Sequence, residues 1–147
     1  MKYQRFEDLP VWQDSAELAR SMYEFTERDI FRRHLGLRDQ LERATLSISN
    51  NIAEGFERGT NNELLAFLYI SRGSAGEVRS ILRVLESWDK FAEKKSHIME
   101  LRNKTESISR QLHGWIEQLK RSGYSGQRHL NVVKPPKPSQ QKSTKES

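Results

Sequence analysis

Asn51, Glu54 and Arg58 follow one another at steps of three and four. Gln40, Arg43 and Ser47 extend the series upstream, so six polar side chains share one helical face. Asn50 stands beside Asn51, and two asparagines inside a helix cost roughly 1 kcal/mol against alanine. Their amide groups must therefore serve something other than helix formation, either a polar contact between packed helices or a binding surface. Downstream, Glu63, Ser74 and Glu77 lie on the facing helix. A tight turn between the two would let Arg58 meet Glu63, and would bring Asn51 and Glu54 toward Ser74. Two readings stay open: a solvated outer face, or a partly buried network that fixes register between helices or subunits. Asn and Ser, where Glu and Lys would make a better exposed helix, favour the network. In that case Glu54 needs a partner, because an unpaired buried charge costs several kcal/mol.

A second constellation is basic. Arg28, Arg32, Arg33, His34, Arg38 and Arg43 cluster around one inter-helix connection, and Phe31 among them could stack a nucleic-acid base. Asp29, Asp39 and Glu42 flank the cluster, so a solvated loop is the competing reading. Lys134 and Lys137, in a C-terminal Lys/Pro-rich tail, could add sequence-independent phosphate contacts or simply keep the chain soluble.

Other residue types point away from catalysis. None of His34, His97, His113 and His129 has a Glu three residues before it, so the Glu-x-x-His arrangement of di-iron bundles is missing, as is a His-Glu-x-x-His zinc motif. No serine occupies a nucleophile elbow. Cysteine is absent, which removes disulfides, thiolate chemistry and zinc–cysteine sites. Gly73-Ser74-Ala75-Gly76 lies mid-helix and lacks the spacing of a phosphate loop. Each glycine there costs roughly 1 kcal/mol, and close approach of another helix is the expected return. The expectation is a protein with no catalytic residues, no metal and no cofactor.

Helices must position these groups. No proline occurs between Val11 and Lys134, and apolar residues recur at steps of three and four throughout. Val11, Ser15, Leu18, Met22 and Phe25 form a first stripe, with Asp8 and Pro10 at its start. After a break over 29–36, Leu37, Leu41, Ala44, Ile48, Ile52 and Phe56 form a second. Gly59 can close that helix, and Thr60 with Glu63 reads as a capping box for the next. Leu64, Phe67, Leu68, Val78, Ile81, Leu82, Leu85 and Trp88 form the third stripe. Ile98, Leu101, Thr105, Ile108, Leu112, Trp115 and Leu119 make a heptad seam in the fourth. The pattern predicts an all-α, antiparallel up-down four-helix bundle over residues 1–123 and a disordered basic tail over 124–147.

Bulk properties narrow the partners. The chain of 147 residues carries 25 Lys/Arg and 20 Asp/Glu, net +5. Five of those bases and one acid fall in the tail, leaving the body at only +1, so the basic pI says little about nucleic acid. No apolar run approaches a membrane span, and the start lacks the apolar core of a secretory signal. A cytoplasmic setting is expected.

The motifs together resemble a known family. Residues 6–13 look like its opening and residues 36–44 like the start of its second helix. Its most specific signature is similar to Ser47-Ile48-Ser49-Asn50-Asn51-Ile52-Ala53-Glu54-Gly55-Phe56-Glu57-Arg58-Gly59. Glu63, residues 67–70, Gly73-Ser74-Ala75 and Glu77 continue the likeness, which covers about 6–119. The family is the bacterial four-helix bundle proteins encoded within intervening sequences of large-subunit ribosomal RNA genes. The accessory variability (Avd) proteins of diversity-generating retroelements are structural relatives. The resemblance implies a bundle assembling as a ring, usually a homopentamer, without catalysis and associated with nucleic acid. It also implies an architectural role for Asn51, Glu54, Arg58, Glu63, Ser74 and Glu77. Two functions are expected: an RNA-associated oligomer using Arg32, Arg33, Arg38, Arg43 and the tail lysines, or an adaptor whose partner is a protein such as a reverse transcriptase.

Overall fold

The computed structural model describes residues 3–122. Four helices form an antiparallel up-down bundle: α1 (Pro10–Thr26), α2 (Leu35–Phe56), α3 (Asn61–Glu86) and α4 (Lys95–Ser122). Each packs on its chain neighbours, and α1 against α4 closes the bundle. Among the described residues no helix is long and apolar enough to cross a membrane. The 124–147 tail, with Lys134 and Lys137, lies outside the described residues.

Pro10 opens α1 at a position where its missing N–H costs nothing. Asp8 does not cap this helix, because it sits in a 3₁₀ turn over Phe6–Asp8 while Leu9 takes the cap position. Val11, Ser15, Leu18, Met22 and Phe25 all point inward. Ser15 tolerates burial because its hydroxyl donates to the Val11 carbonyl at 2.7 Å. Thr105 repeats the device in α4, donating to Leu101 at 2.8 Å. The whole α4 seam, from Ile98 to Leu119, is buried.

The α2–α3 turn is short. Thr60 accepts the Glu63 N–H at 3.2 Å, one half of the capping box. The Glu63 side chain is exposed and does not return the bond. Just inside this turn, a Cβ on Gly55 would lie 2.8 Å from the Phe67 Cβ and 3.1 Å from the Leu64 Cδ1. Gly55 thus lets the α2 backbone lie close against α3, where no larger residue would fit without a shift. The sequence pattern assigns that role to Gly73 and Gly76. Within the chain neither takes that role: both are exposed and have nothing within 4 Å of a built Cβ.

The opposite end is closed differently. The α1–α2 connection contains a 3₁₀ turn over Asp29–Arg33, and the α3–α4 connection another over Asp89–Lys94. Phe31 and Phe91, one from each, are fully buried. Phe31 meets Phe25 edge-on at 5.2 Å and tilts against Phe91 at 5.5 Å, plugging the end of the core.

Candidate nucleic-acid interface

In an up-down bundle the first and third connections lie at the same end, so the α1–α2 arginines share a surface with the α3–α4 connection. The burial of Phe31 fixes how the first connection presents its charges. With the ring held inward, flanking Arg32 and Arg33 face solvent. The same burial removes Phe31 as a stacking platform for a base, correcting the expectation from sequence.

The basic residues differ in how far they are committed. Arg32 reaches Asp29 at 3.2 Å, both side chains being largely exposed. Arg43 reaches Asp39 at 3.4 Å on the surface of α2. Such exposed pairs contribute little and exchange readily for another anion. Arg38 is better tied: it donates to Glu42 at 2.9 Å, and Glu42 also accepts the Thr26 hydroxyl at 2.6 Å, joining α2 to α1. Arg28 and Arg33 make no ion pair among the described residues.

Sequence spacing does not reveal the second connection. It places Trp88 as the last residue of the third apolar stripe, but α3 ends at Glu86 and Trp88 adopts an extended conformation, 38% exposed. Its ring stands 5.4 Å from His34 and 5.3 Å from Phe91, with the Lys90 ammonium 5.9 Å from its centroid. Lys94 and Lys95 follow at the end of the 3₁₀ turn and the start of α4, and like Lys90 they have no carboxylate partner among the described residues. The available signal is a Trp immediately before Asp89-Lys90-Phe91, closely followed by paired lysines. Below this surface, burial pushes the His97 imidazole under its ordinary value, and the charge of Arg28 pushes it the same way.

The polar face on α2 and α3 is narrower than its sequence spacing suggests. Ser47 and Ser74 share a hydrogen bond of 2.8 Å across the interface, and the Asn51 amide donates to the Ser47 carbonyl and hydroxyl at 2.8 and 2.9 Å. A fully buried link that the spacing does not announce, Ser71 Oγ to the Ile48 carbonyl at 2.8 Å, lies one turn deeper. Glu54 instead pairs at 3.2 Å with Arg58, two residues past the end of its own helix, its side chain 55% exposed. The Arg58 guanidinium also lies 4.9 Å from the Phe67 ring centroid. Glu77, like Glu63, is exposed. Among the described residues, no three His, Cys, Asp or Glu side chains gather closely enough to hold a metal ion.

The family model described as 23S rRNA-intervening sequence protein matches residues 7–114, most of the chain and nearly all of the bundle. The chain belongs to that family. No curated protein matches the chain. Within the family match lie both connections and the Ser47–Asn51–Ser74 contact. Lys134 and Lys137 fall beyond it.

Proposed function

We propose that this family member is a non-catalytic, cytoplasmic, RNA-associating oligomer that holds RNA at the end of the bundle formed by the two 3₁₀ connections. The observation that carries this reading is the grouping there of Arg28, Arg33, Lys90, Lys94 and Lys95, none committed to a carboxylate among the described residues, around a half-exposed Trp88. Arg32 and Arg43 join them by exchanging weak surface pairs for phosphates, while Arg38 chiefly braces α1 against α2. The family's description, with its reference to 23S rRNA, supports RNA as the partner over a purely proteinaceous one. The best-formed ion-pair cluster, Arg102 with Glu86 and Glu106, joins α3 to α4 and is satisfied internally, which favours support over proton transfer.

Assembly is part of the proposal. The outward surfaces of α2 and α3 present Leu46 at 37% and Ile70 at 50% exposure, and Gly73 leaves room for an approaching backbone. A ring of copies, a homopentamer as the family resemblance implies, covers these surfaces and leaves the cationic end free. Light scattering is expected to give a multiple of 17.2 kDa, and a clean monomer at micromolar concentration contradicts assembly.

RNA association is tested by the affinity for a structured ribosomal RNA fragment across a salt series. The expected result is a linear fall of log affinity with log salt, with a slope set by the phosphates neutralised. Arg33→Glu with Lys94→Glu is expected to flatten that slope. Absence of binding at low salt overturns the reading. Capture of a protein such as a reverse transcriptase that survives nuclease treatment would place the adaptor function ahead of it.

A further inference from the structure

A groove of about 630 Å³ runs between α3 and α4, lined by Gly76, Arg79, Ser80, Arg83, Val84 and Glu106, with Ser87 at its lower end. It continues over Arg83, Glu86 and Ser87 to Lys95, the first residue of α4. The groove runs from the middle of α3 to Ser87, one residue before Trp88, whose indole lies beyond its lining. From Arg79 to Ser87 it covers about 12 Å along the helix axis.

The charges in the groove are unequally engaged. Glu86 accepts two hydrogen bonds from Arg102, at 2.9 and 3.1 Å, and Glu106 a third at 3.2 Å. The Arg102 bonds hold the Glu86 carboxyl below the usual carboxylate range, so it stays ionised and occupied. Arg83 approaches Glu86 only at 3.4 Å, with its own side chain 62% exposed. Arg79 and Lys95 form no ion pair among the described residues. Four cations thus stand against two carboxylates, and three of the cations face the groove. Ser80 adds an exposed hydroxyl, and Gly76 leaves its head open, with nothing within 4 Å of a built Cβ.

We propose that this groove binds the backbone of an unpaired RNA segment, its phosphates on Arg79, Arg83 and Lys95, with one base stacked on Trp88 at the end. The proposal rests on the RNA reading above and deepens it by naming single-stranded RNA as the ligand. The indole decides between strand types. A duplex keeps its bases stacked within itself and offers an exposed aromatic ring nothing to pair with, whereas unpaired bases stack readily on aromatic side chains. Lys90 beside the ring adds a cation next to the stacked nucleotide. The arrangement reads no base edge, so it predicts tolerance of sequence and discrimination by strandedness.

The test measures binding of the full chain to a fluorescent single-stranded oligouridine and to a blunt RNA duplex of equal length. Circular dichroism checks that each variant is folded. The expected result is tighter binding of the single strand. Trp88→Leu should weaken it roughly 5- to 150-fold, the range for removing one stacked base, with Trp88→Phe restoring most of the affinity. Arg79→Glu with Arg83→Glu, both on the exposed face, should reduce the salt slope for the single strand by about 0.7 for each phosphate no longer neutralised. Equal affinity for duplex and single strand, or full affinity in both variants, overturns this proposal while leaving salt-dependent RNA association intact. Failure of every RNA to bind removes the broader reading and this one together. A polyglutamate peptide that competes as well as oligouridine, with Trp88→Leu indifferent, would assign the groove to an acidic protein partner and overturn it too.

Discussion

At the α2–α3 turn the bundle brings backbones together over Gly55 and caps α3 with Thr60, and midway along the same two helices Ser71 and the Ser47–Asn51–Ser74 contact satisfy polar groups internally. At the other end, two 3₁₀ connections each send one phenylalanine into the core and leave a surface of uncommitted cations around Trp88. The α2–α3 pair uses its polar residues to fix register. The other end uses apolar anchors to hold charges outward. Polar residues along one chain therefore do different work according to whether their partners are already within the fold.

The largest effect should come from removing an anchor. Phe91→Ala empties a fully buried aromatic position and is expected to cost about 3–5 kcal/mol in chemical denaturation, releasing the connection that carries Trp88. RNA affinity should fall with it. Gly55→Ala probes the opposite end: its methyl group would press on the Phe67 Cβ, and a loss of about 1–3 kcal/mol is expected, with RNA affinity of the folded protein unchanged. The same substitution at Gly76 meets open space and should stabilise the chain by about 0.5–1 kcal/mol. If Gly55→Ala also stabilised, the close approach of α2 and α3 would be refuted.

Surface charges should separate binding from stability. Arg33→Glu with Lys94→Glu is expected to shift unfolding by no more than about 0.5 kcal/mol, the usual range for exposed positions, while RNA affinity drops. The smallest expected effect concerns pH. In the unfolded chain His97 takes up its proton near pH 6.5, but burial and Arg28 delay this in the folded state. The unfolded state therefore binds more protons as pH falls through that value, and stability, complete above it, declines. His97→Gln should flatten the decline between about pH 7 and 5 in thermal melts.

Much of the bundle is legible in the sequence because buried stripes at steps of three and four have no other simple solution. The α4 seam and the Thr60 cap follow from local pattern alone. Tertiary facts do not. Gly55 lies in line with Ile48 and Ile52, a clue to its burial, yet nothing in one sequence distinguishes a glycine that admits a backbone from one that merely faces water. Phe31 looks available because its neighbours are charged, whereas its depth depends on Phe25 and Phe91, the latter distant in sequence. Trp88 and the lysines after it become part of a site only when the topology sets them beside Arg28 and Arg33. Asn51, which the spacing aims at Ser74, bonds Ser47 one turn back on α2, and Ser47 makes the link across; Glu54 likewise finds Arg58 just past the end of its own helix, since a four-residue step needs no second helix to supply a partner.

Ultraviolet crosslinking of bound single-stranded RNA, followed by peptide mapping, compares the two ends in one experiment. Crosslinked nucleotides are expected on residues 87–95, with Trp88 foremost, and on 28–38. Crosslinks confined to residues 55–63, around the α2–α3 turn, would contradict RNA binding at the end that carries Trp88.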